Sequence, residues 1–329
     1  MSFDTIGVLG GGAWGTALAQ VASAGGRETL LWAMEDTVVE AINDCHQNSL
    51  FLPGVPLNPA IRATSDLDDL GECDAWLVVT PAQHMRAVLN EAPECDIPMV
   101  LCAKGIEEHR GELLHKVAGE VCPGAQLAVL SGPTFAHEVA KGLPTAVTLA
   151  AKDLALAEAL RDRIALPAFR IYVSDDIAGA EIGGAVKNVL AIASGVVEGK
   201  GLGQNARAAL ISRGFAEMTR FGLAYGARRE TLTGLSGLGD LFLTCSSTSS
   251  RNYSLGKGIG EGRSAAELLA DRRTVAEGAF TAPVLARLAS ERSIDMPIVD
   301  AVDALIAGRA TVDEVLGALL SRPPRAEAI

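Results

Sequence analysis

In the first half of the chain the apolar residues fall in short, nearly unbroken runs: IGVL (6–9), TLLWA (29–33), AWLVVT (75–80), MVLCA (99–103), LAVL (127–130), TAVTLA (145–150) and FRIYV (169–173). Each run gives way to glycine, proline or polar residues, and stretches of helical composition such as TALAQVASAG (16–25) and 37–43 lie between them. Runs of this length without alternation predict strands covered on both faces. Their alternation with helices predicts an α/β domain on a mostly parallel sheet with helices on both faces. Beyond about residue 178 the strand-like runs stop. Ala-, Leu- and Gly-rich helical segments at 180–198, 205–225, 264–271, 279–291, 298–307 and 311–320 take over, which predicts an all-α second domain. The chain divides on this pattern into 1–178 and 179–329.

The first apolar run opens directly onto Gly10-Gly11-Gly12-Ala13-Trp14-Gly15 and then a helical segment. Gly10, Gly12 and Gly15 fit GxGxxG in its strand–turn–helix setting, which permits a tight turn, close backbone approach to a pyrophosphate and tight helix-on-strand packing. Phosphates would meet the free N–H groups at the helix start. The first domain therefore reads as a Rossmann-like dinucleotide-binding domain. Glu35 stands 20 residues beyond Gly15, where an acid can accept from the adenosine ribose hydroxyls and repel a 2′-phosphate. No Lys or Arg lies in 31–37, so the pattern leans to NAD, with NADP still possible. Glu35 is equally at home as an exposed acid in the first turn of the following helix.

Composition narrows the setting. The 329 residues are 49% hydrophobic and 21% charged, which suits a folded globular protein. A net charge of −12 without a basic stripe argues against a nucleic-acid partner, and an anionic ligand would need a few focused cations in a cleft. The six cysteines show no CxxC pairing and no histidine clustering at metal-ligand spacing, so no metal is expected and the thiols suit a reducing, cytoplasmic compartment. The N-terminus lacks a basic segment ahead of a long apolar core, so no signal peptide is expected. Apolar runs break well short of the roughly 20 residues that span a bilayer.

Lys187 is the only charged side chain in IGGAVKNVLAIASGVV (182–197). An ammonium in so apolar a helix costs several kcal/mol or lowers its pKa, and a lysine tuned that way can exchange a proton near neutral pH. A structural lysine paired with a carboxylate is the plainer alternative. Lys104 and the turn Ser131-Gly132-Pro133-Thr134 fall at carboxyl ends of expected strands, the ligand-binding edge of such sheets. In the second half, Gly234-Leu-Ser-Gly-Leu-Gly-Asp240 is a glycine-dense loop whose terminal carboxylate could hold a lysine. The segment Ser246-Ser-Thr-Ser-Ser250-Arg251-Asn252 offers hydroxyls, a guanidinium and an amide that suit a phosphate. Read plainly, these are a flexible linker and a solvated turn. Glu277 is either a helix N-terminal acid or a ribose contact.

The motifs GGGAWGTALA (10–19), AKG (103–105), SGPTFAHEVAKGLPTA (131–146), GGAVKN (183–188), GLGD (237–240), SSRN (249–252) and VAEG (275–278) together resemble the bacterial NAD(P)-dependent sn-glycerol-3-phosphate dehydrogenases over roughly residues 5–320. The resemblance implies a reversible hydride transfer between a nicotinamide and C2 of dihydroxyacetone phosphate or sn-glycerol 3-phosphate, whose product feeds phospholipid synthesis. It implies that Lys187 accepts and returns the C2 hydroxyl proton, that Lys104 touches cofactor and substrate, and that Asp240 fixes the lysine. It further implies that Gly132, Thr134, Asp240, Ser250, Arg251 and Asn252 bind substrate. Ala13, Trp14, Met34, Ala136, Arg251, Val275 and Glu277 match cofactor contacts. Relatives that use NADP often carry a basic or imidazole side chain at position 34, so Met34 adds to the lean toward NAD. A homodimer is expected because the helical half is unusually apolar. Two readings stay open on the residues: another two-domain Rossmann dehydrogenase of 3-hydroxy-acid or ketopantoate type, and a non-catalytic NAD-binding regulator. A nucleotide-sugar dehydrogenase with Cys245 as nucleophile is weaker, since no histidine in the second half could activate the thiol.

Overall fold

The computed structural model describes residues 3–94, 96–270 and 276–323, so Val275 and Cys95 lie outside the described residues. It divides into two compact units, residues 1–103 with 114–180 and residues 104–113 with 181–329. A single cut at 178 thus misses the excursion 104–113, which belongs with the helical unit although it follows a strand of the first.

In the first unit the chain runs β1 (Thr5–Leu9), α1 (Ala13–Ala24), β2 (Glu28–Trp32), α2 (Asp36–Cys45), a small antiparallel hairpin of β3 (Gln47–Asn48) and β4 (Leu52–Pro56), and β5 (Ile61–Thr64). It continues through β6 (Ala75–Val78), α3 (Met85–Glu91), β7 (Pro98–Leu101), α4 (Leu114–Val121), β8 (Gln126–Ser131), α5 (Ala136–Ala140), β9 (Thr145–Ala151), α6 (Leu154–Ile164) and β10 (Phe169–Ser174). The sheet order is β10-β9-β8-β7-β6-β1-β2-β5, parallel at every pairing except β8 with β9. Alternate strand residues feed two apolar clusters: Ile6, Val8, Leu77 and Val100 in one, Leu9, Trp76, Val78 and Met99 in the other. Period-2 side chains buried on both sides produce the unbroken apolar runs of the sequence. The reversal at β9 is the departure from a uniformly parallel sheet. Ala128 pairs with Ala151 and Ser131 with Thr148, so the segment 132–144 stays at the carboxyl edge of β8.

The second unit is helical. It contains α7 (Ile177–Gly199) from Glu181 on, α8 (Gly203–Ala224), α9 (Arg229–Thr233), a π-helical turn at Leu235–Gly239, and α10 (Asp240–Thr244). After these come α11 (Arg251–Gly260), α12 (Ala265–Leu269), α13 (Glu277–Glu291), α14 (Pro297–Ile306) and α15 (Val312–Leu320). The glycine-dense and Ser-rich segments expected as loops therefore flow into helices: Asp240 opens α10, and Ser250 is the N-cap of α11, accepting from the Tyr253 N–H at 3.2 Å. Helices α7 and α11 cross backbone to backbone. A Cβ on Gly195 would lie 2.0 Å from the Tyr253 carbonyl oxygen, and one on Gly256 would lie 1.9 Å from that of Ile192. Four-residue glycine spacing on both helices, 195/199 and 256/260, makes that seam and holds the start of α11 against the centre of α7. Among the described residues α7 alone is long and apolar enough to cross a membrane by length and composition, and the qualifying window is wholly buried inside the protein. Lys187 interrupts this apolar run without ending the helix, and the burial of the window marks α7 as a core helix.

Candidate active site

In the first unit the glycine turn is built to leave space above the start of α1. Gly10 has φ 130°, a conformation open to glycine, and donates its N–H to the Trp32 carbonyl at 3.0 Å. A Cβ on Gly15 would sit 1.8 Å from the Gly10 carbonyl oxygen, so only glycine lets α1 press onto the turn, whereas nothing lies within 4 Å of a Cβ on Gly12. Asn48, fully buried on the hairpin, fastens the turn by donating to the Gly11 carbonyl and to Thr16 Oγ1, both at 2.8 Å. No side chain caps α1, and the buried indole N–H of Trp14 has no hydrogen-bond partner. Open space at Gly12, uncapped helix N–H groups and an orphaned donor fit a bound pyrophosphate. At the end of β2, Met34 is 76% exposed and Glu35 is the N-cap residue of α2 with no side-chain capping bond. Ala136 starts α5, which packs on α1, and shares an apolar cluster with Ala13 and Trp14. Gly132 and Thr134 lie in the edge segment after β8, where a Cβ on Gly132 would meet the Val147 Cα at 2.9 Å.

In the second unit two lysines close on one carboxylate. Lys187 Nζ donates to Asp240 Oδ1 at 2.5 Å and to Thr244 Oγ1 at 2.9 Å; Lys104 Nζ donates to Asp240 Oδ2 at 2.7 Å. Asp240 is fully buried and Lys187 is 5% exposed. Burial pulls the Lys187 pKa down to about 8; the Asp240 carboxylate opposes that shift and the Lys104 charge adds to it. The Thr244 hydroxyl gives its proton to the Asp240 carbonyl oxygen at 2.6 Å, one turn back, so a lone pair faces Lys187. Of the three ammonium protons, one points at Asp240 and one at Thr244, which leaves the third for a ligand. Two cations on one anion give a local excess of positive charge in a chain of net charge −12. Such a site attracts an anion and stabilises a developing alkoxide.

The start of α11 lies against the helix turn that carries Lys187. Asn252 donates from Nδ2 to Asn188 Oδ1 at 3.0 Å and accepts at Oδ1 from the Gly278 N–H at 2.9 Å, tying α7, α11 and α13 together. One of its amide protons is already committed. Arg251 is exposed at the first position of α11, where helix N–H groups favour an anion. Glu277 opens α13 as a first-turn acid. Cys245 is buried and its thiol is pushed up to about 12 by burial, which removes it as a thiolate nucleophile.

Sequence models described as NAD-dependent glycerol-3-phosphate dehydrogenase, N-terminus and C-terminus, match residues 5–157 and 176–317. A glycerol-3-phosphate dehydrogenase (NAD(P)+) of Erythrobacter litoralis is 63% identical over 322 residues, which is 98% of this chain and 97% of that protein. The chain belongs to the NAD-dependent glycerol-3-phosphate dehydrogenase family. A family member of Novosphingobium aromaticivorans is also 63% identical, over 99% of both chains. The crystal structure of glycerol-3-phosphate dehydrogenase from Coxiella burnetii superposes with a TM-score of 0.92 at 36% identity, covering 97% of this chain and 99% of that one. Both the α/β first unit and the helical second unit are those of this family.

Of the residues singled out in the sequence, the structure brings Lys104, Lys187 and Asp240 into one hydrogen-bonded cluster and sets Ser250, Arg251 and Asn252 on one helix start, all in the second unit. Gly10, Gly12, Ala13, Trp14, Gly15, Met34, Glu35, Gly132, Thr134 and Ala136 belong to the first. Two functional side chains were missed. Thr244 reads as one polar residue in DLFLT, and only its spacing of four from Asp240 hints at a shared helix face. Asn188 is hidden beside Lys187, and its partner lies 64 residues away.

Proposed function

We propose that the chain interconverts dihydroxyacetone phosphate and sn-glycerol 3-phosphate with Lys187 as general acid and base. The buried Lys187–Asp240–Lys104 cluster carries this reading, because it supplies a transferable proton and positive charge where a C2 alkoxide would form. When bound at the glycine turn, the reduced nicotinamide supplies the hydride. Lys187 then gives its uncommitted proton to the C2 oxygen, and in the reverse direction the neutral amine takes it back. Asp240 and Thr244 hold the amine so that this proton, or the lone pair that replaces it, points one way. Lys104 shares the Asp240 carboxylate and so weakens its hold on the charged form of Lys187. Arg251, with Ser250 and the remaining amide proton of Asn252, holds the phosphate. Binding energy from the unreactive phosphate orients C2.

NADH is the favoured coenzyme in this reading. Glu35 follows the exposed Met34 at the end of β2, and no basic side chain lies in 31–37 to receive a 2′-phosphate. The cysteines 45, 73, 102, 122 and 245 are thiols, which supports a reducing compartment such as the cytoplasm. A homodimer through the helical unit rests on its apolar composition, and sedimentation velocity would detect it as a doubled mass. The test of function is oxidation of NADH and of NADPH, measured separately, on adding dihydroxyacetone phosphate. The expected result is turnover with both and a higher kcat/KM for NADH. A preference for NADPH overturns the role of Glu35. Coenzyme binding without turnover overturns the reaction.

A further inference from the structure

Among the described residues, the Asp240 carboxylate bonds to the side chains of Lys187, Lys104 and Thr244, all within the site. Asp240 enters from the π-helical turn Leu235–Gly239, closed by the Gly239 N–H on the Gly234 carbonyl at 3.0 Å. The Ser236 hydroxyl is fully buried without a hydrogen-bond partner, so packing, not side-chain bonding, sets this turn. The packing partner is Gly183, one helical turn before Lys187 on the same face of α7. A Cβ on Gly183 would lie 2.3 Å from the Ser236 carbonyl oxygen, 2.8 Å from its carbon and 2.9 Å from the Gly237 Cα. All three are backbone atoms. The turn has no room to retreat, because a Cβ on Gly237 would lie 1.9 Å from the Leu232 carbonyl oxygen behind it. The contact Gly183–Ser236 thus sits one step below the contact Lys187–Asp240, four residues earlier on each side.

We infer that Gly183 and the π-helical turn form a seat that sets the Asp240 carboxylate against Lys187, which makes Gly183 a positioning residue for proton transfer. This rests on the reading of Lys187 as the proton-transfer group. A methyl group at 183 must lift the turn, and Asp240 moves with it. The lysine then loses the partner that favours its charged form, whereas the glycine turn of the first unit is untouched.

The experiment is Gly183→Ala, compared with wild type and with Gly317→Ala, an exposed helical glycine with nothing within 4 Å of an added Cβ. In Gly183→Ala, kcat should fall by roughly tenfold or more, as expected for a misplacement of about 1 Å. KM for the phosphate substrate and the NADH dissociation constant should stay within about threefold. The pH midpoint for oxidation of glycerol 3-phosphate should move down by about half a unit or more, since an opposite charge has been withdrawn from Lys187. Gly317→Ala should change none of these. A lowered melting temperature with unchanged kcat and midpoint would make Gly183 a packing residue only and overturn the proposal. Should Gly183→Ala not fold, Leu232→Val, whose side chain seats α9 on Gly222 of α8, loosens the backbone behind the turn and should move the midpoint in the same direction; an unmoved midpoint there overturns the proposal too. Failure of the underlying reading looks different: wild type without turnover, or a midpoint that survives in Lys187→Ala.

Discussion

Lys187 combines two opposed influences, and its pH behaviour tests them. Burial lowers its pKa to about 8 against the pull of Asp240, so the amine and the ammonium are both accessible near neutrality. Oxidation needs the neutral amine, so kcat for glycerol 3-phosphate should rise with pH through about 8 and level off above it. Reduction of the ketone needs the ammonium and should fall through the same range. Steady-state pH profiles in both directions check this, and Lys187→Ala should lose both limbs together with a factor of roughly 10²–10⁴ in kcat. Thr244→Val keeps the shape of the side chain and removes the acceptor at 2.9 Å. A buried hydrogen bond to a charged group is worth about 1.5–3 kcal/mol, so the melting temperature should fall by a few degrees, and kcat should drop at least about tenfold as Lys187 loses its fixed direction. Lys187 was legible in the sequence because a lone charge in an apolar helix demands compensation. Its compensating groups, Asp240 and Thr244, lie 53 and 57 residues away, a separation that local pattern does not reach.

At the scale of elements, strands and long helices were legible wherever burial imposed a period. What escaped was short, polar or glycine-rich. Strand β5 pairs only with β2 at the sheet edge, and the β3–β4 hairpin carries Asn48, whose importance lies wholly in its bonds to the glycine turn. The π-helical turn and the start of α11 were read as loops because Gly and Ser carry low helix propensity, which tertiary packing overrides. A different device secures α14. Glu217, buried on α8, accepts from the Ile298 N–H at 2.9 Å and the Val299 N–H at 3.2 Å, capping α14 from outside its own helix. Burial pushes its pKa up from 4.5 to about 7, with the two N–H bonds and Arg220 opposing and Asp300 adding to the rise. A carboxyl whose folded value is raised contributes stability that is present below about 4.5 and lost as pH rises through about 7. Urea unfolding should therefore show stability falling over that window by up to roughly 3 kcal/mol. Glu217→Gln should flatten that part of the profile; an equally steep curve in the variant would place the titration elsewhere.

For the molecule as a whole, charge and cofactor binding set the predictions. The chain carries a net charge of −12, while the site concentrates two lysines on one aspartate. Coenzyme should stabilise the fold by mass action, by about 2.7 kcal/mol at a hundred times its dissociation constant. NADH should therefore raise the melting temperature by several degrees, and NADPH at equal concentration by less if Glu35 meets the ribose. A thermal-shift titration checks this without any turnover. Equal shifts would remove the coenzyme preference but leave the reaction in place.

Features that depend on neighbours along the chain are readable from it directly. The glycine spacing at 10, 12 and 15, the apolar strand runs, the change to helical pattern after 178 and the isolation of Lys187 each follow from local sterics or burial period. Which groups meet follows from the three-dimensional packing. It reversed β9 so that 132–144 stays at one sheet edge, turned the glycine-rich and Ser-rich segments into helix starts, and put 104–113 with the helical unit. It also gave Asp240 to two lysines at once. Such choices depend on backbone approach at glycines such as Gly183, Gly195 and Gly256, and on donors and acceptors far apart in sequence, where closeness is a property of packing and not of pattern.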